Sequence, residues 1–406
     1  MNTKVFLLSA LILTSLNVSA ASTAKMKKKS HAKKMTHDRA SELPVRKEMS
    51  NISRHIRDLG LYIASEQEFV KEKNKAVIQK NLEELTALFK NVKTHPLMET
   101  QGLSINQAVM TEQLEQTTAL FKNDKKPLAR AKFNAALNLC VSCHTQSPGT
   151  QRQEFKLFAD KDISKMKIND FERAELLYVT RDFETAITLY DKFIKASKKT
   201  DDDENILRAL ERQLIYFVKV KKSFPLAKER FESYLKQGNL NPTVTQEVSD
   251  WVKVLSGKSL WENFDAQTVK EEDMEKFMKT FIADDEEGPI FSATNSSEVY
   301  DLNLSSILLD YYNAHPDTKL GAKILYWLAT LDKRLNDDLF FSLGDYYLLA
   351  CMEKYPKDPV AKDCYESYMD DLEINYLSKE KDFPPKIKER IKYLQKLIDY
   401  KEEDEE

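Results

Sequence analysis

The sequence predicts an all-α protein, an N-terminal four-helix bundle followed by an α-helical hairpin solenoid. Glycine and proline are scarce, 8 and 12 in 406 residues, which disfavours turn-rich β architectures. Charged residues make up 31%, and apolar residues recur in steps of three and four, the mark of amphipathic helices.

The chain opens on an export pattern over residues 1–20. Lys4 supplies a positive start, Val5 to Leu16 is almost wholly apolar, and Val18-Ser19-Ala20 offers a small-residue cleavage site. The apolar run is shorter than the roughly 20 residues that span a bilayer, so cleavage is favoured over a retained anchor. No cysteine stands at the cleavage site, which argues against a lipoprotein, and no later stretch is long and apolar enough to cross a membrane. A basic arm follows over residues 21–41, and residues 401–406 form an acidic tail. Both read as solvated and disordered. The net charge of −3 argues against nucleic acid, DNA included, as a partner.

Residues 42–147 carry four helical stripes. The first helix, about Leu43 to Ala64, places Val45, Met49, Ile52, Ile56, Leu59 and Ile63 on one face. The second, about Glu66 to Val92, carries Ile78, Leu82, Leu85, Phe89 and Val92, and ends before His95-Pro96. The third is capped by Ser104 and runs through Val109, Leu114 and Leu120 to Phe121. The fourth starts near Pro127 and carries Leu128, Ala131, Ala135 and Leu139. Short connections make neighbouring helices antiparallel.

A polar linker over 148–169 leads to the second unit, residues 170–400. Ala174, Leu177 and Tyr178, then Asp182-Phe183, then Ala186, Tyr190 and Phe193 resemble one tetratricopeptide repeat. Ala227, Phe231 and Tyr234 suggest the second helix of a weaker copy. A further helix pair runs through Trp327, Leu343-Gly344 and Tyr347, then Pro356, Pro359, Ala361 and Tyr365, with extra residues in its turn. Residues 238–300 fit no repeat.

The fourth helix ends in Cys140-Val141-Ser142-Cys143-His144. This spacing is what covalent haem attachment requires. Two thiols a helical turn apart meet the two vinyl groups of one porphyrin, and the adjacent imidazole becomes an axial ligand to iron. A thioredoxin-like redox pair is the alternative, but no βαβ pattern surrounds it. Half a zinc site is another, but no second half is present.

Phe133, Leu137, Cys140, Cys143 and His144, closing the fourth helix of a bundle, resemble the final helix of the cytochrome c-prime family, the class II c-type cytochromes. The resemblance covers residues 42–147 and implies one covalent haem c held by Cys140 and Cys143, with His144 as the proximal iron ligand. In low-spin relatives a first-helix methionine fills the distal side, and Met49 matches that position. Plain core packing is the competing role for Met49. His55 lies deeper along the first helix and reads as a flanking histidine. His31, His37, His95, His315, Met98 and Met110 are weaker candidates.

Cys351 and Cys364 flank Tyr355-Pro356-Lys357-Asp358-Pro359. Each falls about one turn from a helix-hairpin, within disulfide range of the other. A structural disulfide is expected, with a regulatory redox pair as the alternative.

These readings imply an exported, periplasmic electron carrier rather than an enzyme. Its partners would be a redox partner protein and a protein docked on the helical repeat domain. Two alternatives stand beside it: a five-coordinate haem protein that binds nitric oxide or carbon monoxide, and an envelope scaffold with haem as an accessory sensor. Cleavage after Ala20 sets the mature amino terminus at Ala21. N-terminal sequencing of the exported protein checks this, and a chain that still begins at Met1 contradicts it.

Overall fold

The computed structural model describes residues 39–92, 101–145, 156–198, 203–257, 264–281, 297–335, 342–377 and 382–400. Every regular element among them is helical. The export signal, His31, His37, His95, Met98 and the acidic tail lie outside the described residues.

The first unit holds α1 (Arg39–Ala64), the short α2 (Glu66–Val70), α3 (Lys75–Val92), α4 (Gln101–Lys122) and α5 (Lys126–Thr145). The α1 stripe Ile52, Ile56, Leu59 and Ile63 is buried, as are Ile78, Leu82, Leu85 and Val92 of α3. Where one continuous second helix is expected, the chain breaks into α2, a 3₁₀ turn at Glu72–Asn74, and α3. The cause is local. Ser65 takes an extended backbone and its hydroxyl caps Glu68 N–H at 3.4 Å. Phe69 then turns into the core, edge-on to Phe121 at 5.3 Å. Asn74 Nδ2 closes the break by donating to the Glu68 carbonyl at 2.8 Å.

Helix α3 packs between α1 and α4, α4 packs on α5, and α5 returns to α1. Arg130 Nη2 on α5 donates to the Ile63 and Ala64 carbonyls at 2.9 and 3.2 Å. Carbonyls in the last turn of a helix lack partners within it, so this contact caps α1 and sets its register on α5. Two expectations for this unit need correction. Helix α4 begins before Ser104, so Ser104 lies inside it and is no cap. On α5, Ala131 and Ala135 face outward, and the buried set is Ala129, Phe133, Ala136, Leu137, Leu139 and Val141.

The remaining helices are α6 (Asp160–Lys165), α7 (Asp170–Val179), α8 (Phe183–Ala196), α9 (Asp203–Ile215), α10 (Phe224–Gln237), α11 (Pro242–Ser256), α12 (Glu271–Phe281), α13 (Ser297–Ala314), α14 (Gly321–Arg334), α15 (Gly344–Lys354), α16 (Val360–Leu372) and α17 (Pro385–Leu397). Pairs α7/α8, α10/α11, α14/α15 and α15/α16 are intimate. In α7/α8, Asn169 and Glu172 form a reciprocal capping box. Ala174 and Ala186, both fully buried, stand where the two helices meet, with Tyr178 and Tyr190 buried in the same pair. The α10/α11 turn uses Gly238 at φ 65°, a left-handed helix end that favours glycine. Asn241 then caps α11 through Val244 N–H at 2.8 Å.

Residues 156–169 are not a free spacer. Phe158 is buried against Gly60 of α1, and Ile163 of α6 is buried as well. The two units also share a face. Helix α4 packs on α13 and α15, while α7 packs on both α1 and α5. Tyr346 Oη donates across this face to Glu112 Oε2 at 3.1 Å. Contact on several sides explains why Asn106, Gln107, Gln113 and Thr117 of α4 are buried along with its apolar residues.

Cys351 on α15 and Cys364 on α16 are joined by a disulfide with Cα atoms 6.5 Å apart. Replacing both by alanine is expected to cost about 3 kcal/mol, the loop entropy returned to the unfolded chain. Denaturant unfolding under non-reducing conditions measures it, and an unchanged midpoint contradicts it.

Candidate functional site

Cys140, Cys143 and His144 occupy the last turns of α5. Positions i, i+3 and i+4 share one face of a helix, so the two thiols and the imidazole project together. All three are partly buried, and neither thiol is in a disulfide. Burial raises the Cys140 thiol to about 12, helped by Cys143, while Arg181 opposes the shift. Burial also raises Cys143 to about 11, again against Arg181. Burial depresses His144 to about 3, with Arg181 pushing the same way. At neutral pH the site therefore presents two protonated thiols and a neutral imidazole, the form in which a ring nitrogen binds a metal.

Met49 lies at the same end. Ile63 of α1 is held by Arg130 of α5, and the two helices run antiparallel. Fourteen residues back from Ile63 is Met49, and fourteen forward from Arg130 is His144. At about 1.5 Å per residue on both helices, the two stand at one level. The Met49 side chain is partly buried and packs against the core.

His55 departs from its expected flanking place. It is 7% exposed, with Nδ1 donating to Asn81 Oδ1 at 2.8 Å and Glu84 Oε2 lying 3.4 Å away. It ties α1 to α3, about 9 Å further along α1 than Met49.

Arg181 was not legible as a site residue. It lies on the turn between α7 and α8, where Arg181 N–H bonds to the Tyr178 carbonyl at 3.0 Å and Asp182 N–H to Leu177 at 2.9 Å. Its φ is 71°, a conformation that costs a side-chain-bearing residue about 1–2 kcal/mol. The signal in the sequence is slight: a charged residue where a tight helix-helix turn favours glycine.

The reverse side of the motif is closed by the second unit. Ser142, between the two cysteines, borders a cavity of about 30 Å³ with Lys219, Ser305, Asp332 and Tyr347, room for about two waters. Lys219 donates to Ser305 Oγ at 3.2 Å, and burial lowers it to about 8 against the pull of Asp332. Among the described residues, no cluster of three or more histidine, cysteine or carboxylate side chains could hold a bare metal ion.

No family model, no curated protein and no solved structure matches this chain.

The thiolate, not the thiol, is the nucleophile. In a chain whose two thiols are free, Cys140 and Cys143 should therefore alkylate at least several hundredfold more slowly at pH 7, on the order of their loss of thiolate, than an unperturbed cysteine, whose thiol ionises near 8.5. The rate should climb about tenfold per pH unit up to pH 10, because burial opposes ionisation throughout that range. A rate that levels off between pH 8 and 9 contradicts this; iodoacetamide labelling followed by mass spectrometry reads it.

Proposed function

We propose that this chain is an exported monohaem c-type cytochrome that carries single electrons. The observation that carries the reading is the Cys-x-x-Cys-His sequence on the last turns of α5, with both thiols unpaired in a chain whose other two cysteines are oxidised. The donor set fits a c-type haem. Cys140 and Cys143 would hold it, each S–H adding across one vinyl group, and His144 would ligate iron through its neutral imidazole. When bound, haem supplies a one-electron iron couple near neutral pH. The chain's own part is to orient the imidazole, exclude water from the motif and fix the surrounding charge.

In this reading α1, α3, α4 and α5 form a class II cytochrome-like four-helix bundle. Met49 would provide the second iron ligand, supported by its level with His144 across the α1–α5 register. A thioether there favours the reduced iron and blocks small ligands. The export pattern and the Cys351–Cys364 disulfide support an oxidising compartment such as the periplasm. The α7/α8 and α10/α11 pairs support a tetratricopeptide-like second unit, on which a partner protein would dock.

A second reading keeps the haem but leaves its distal side open. The packing of Met49 against the core favours it, since a methionine engaged there leaves a site for nitric oxide or carbon monoxide.

The full chain, matured with a c-type haem attachment system, separates these. A haem-stained band on a denaturing gel is expected for wild type and is lost in Cys140→Ser/Cys143→Ser. The reduced spectrum should be low-spin and indifferent to carbon monoxide, and Met49→Ala should convert it to one that shifts on adding the gas. An immediate shift in wild type sinks Met49 ligation and favours the open site. Absence of covalent haem sinks both.

A further inference from the structure

We infer that the second helical unit completes the haem site: Arg181, from the turn between α7 and α8, supplies a fixed positive charge that raises the potential of the iron. This rests on the haem reading above.

Three observations converge on Arg181. The first is placement. Helix α7 packs against both α1, which carries Met49, and α5, which carries the cysteines and His144. Arg181 lies just beyond the C-terminal end of α7. The second is reach. The guanidinium is close enough to act electrostatically on Cys140, Cys143 and His144 together. The third is backbone conformation. At φ 71° glycine carries no penalty, whereas arginine costs about 1–2 kcal/mol. A strained position is a reason to ask what its side chain does.

The direction of the effect follows from charge. Taking up one electron lowers the charge on the haem iron by one. A nearby guanidinium, protonated at any working pH, repels the oxidised state more than the reduced one. Arg181 is partly buried, and charges away from bulk solvent are screened less. The helical unit thus sets the driving force of electron transfer as well as offering a surface.

The test is a redox titration of the full, haem-loaded chain followed by absorbance. Arg181→Gly and Arg181→Gln should each lower the midpoint potential, Arg181→Glu should lower it further, and Arg181→Lys should stay close to wild type. Glycine should also leave the thermal midpoint equal to or above that of wild type, since it relieves the turn, so a lowered potential is not a symptom of misfolding. Arg181→Gln reports the same loss of charge without the backbone change. A haem-stained wild type whose potential is the same in the glycine, glutamine and glutamate variants overturns the role of Arg181 and leaves the cytochrome reading intact. A wild type without covalent haem removes both.

Discussion

The carbonyl groups at the end of α1 need donors, and Arg130 of α5 supplies them. Much of the site geometry depends on that one contact. A helix can slide along its neighbour with little change in apolar burial, because one stripe of leucine and isoleucine resembles the next. A guanidinium shared by two carbonyls has no such freedom. It fixes α1 against α5 at one end, and the rigid rise of both helices carries the register to the other. Met49 and His144 come level through a bond made about 20 Å away.

The second constraint is the face between the two units. Helix α4 is covered by α3 and α5 on one side and by α13 and α15 on the other. Its buried amides need partners under that cover. Gln107 shows how one is found: its Nε2 donates to the Phe89 carbonyl, in the last turn of α3, at 2.7 Å and to Thr111 at 2.9 Å. The same cover brings Arg181 to one side of the cysteine motif and the Lys219–Asp332 cavity to the other. An electron carrier built this way would have its cofactor's surroundings decided by two units at once.

How far the sequence could be read depended on how many sides of a helix are covered. The α1 stripe is buried as the spacing implies, because that helix shows a solvent face. On α4 the expected Val109, Leu114 and Phe121 are buried, but so are polar residues between them, and on α5 the buried face differs from the expected one. A helix contacted on several sides has no single apolar face, so periodicity reports it poorly. The sequence hides the break at Ser65, because Phe69 looks from its spacing like one more helical apolar residue. Spacing alone puts His55 at the flank, because its partners, Asn81 and Glu84, belong to another helix. The α7/α8 pair is legible because Ala174 and Ala186, with aromatics beside them, suit two closely packed helices.

The sequence by itself determined the all-helical class, the α1 and α3 core stripes, the two close cysteine pairs and the chemistry that a Cys-x-x-Cys-His run can support. These are local properties, set by residue type and by spacing within one or two turns. The tertiary structure decided the register of α1 on α5, the burial of His55, the packing of residues 156–169 and the approach of Arg181 to Cys140, Cys143 and His144. Each depends on groups far apart in the chain. Only the competition among helices for buried surface and hydrogen-bond partners brings those groups together.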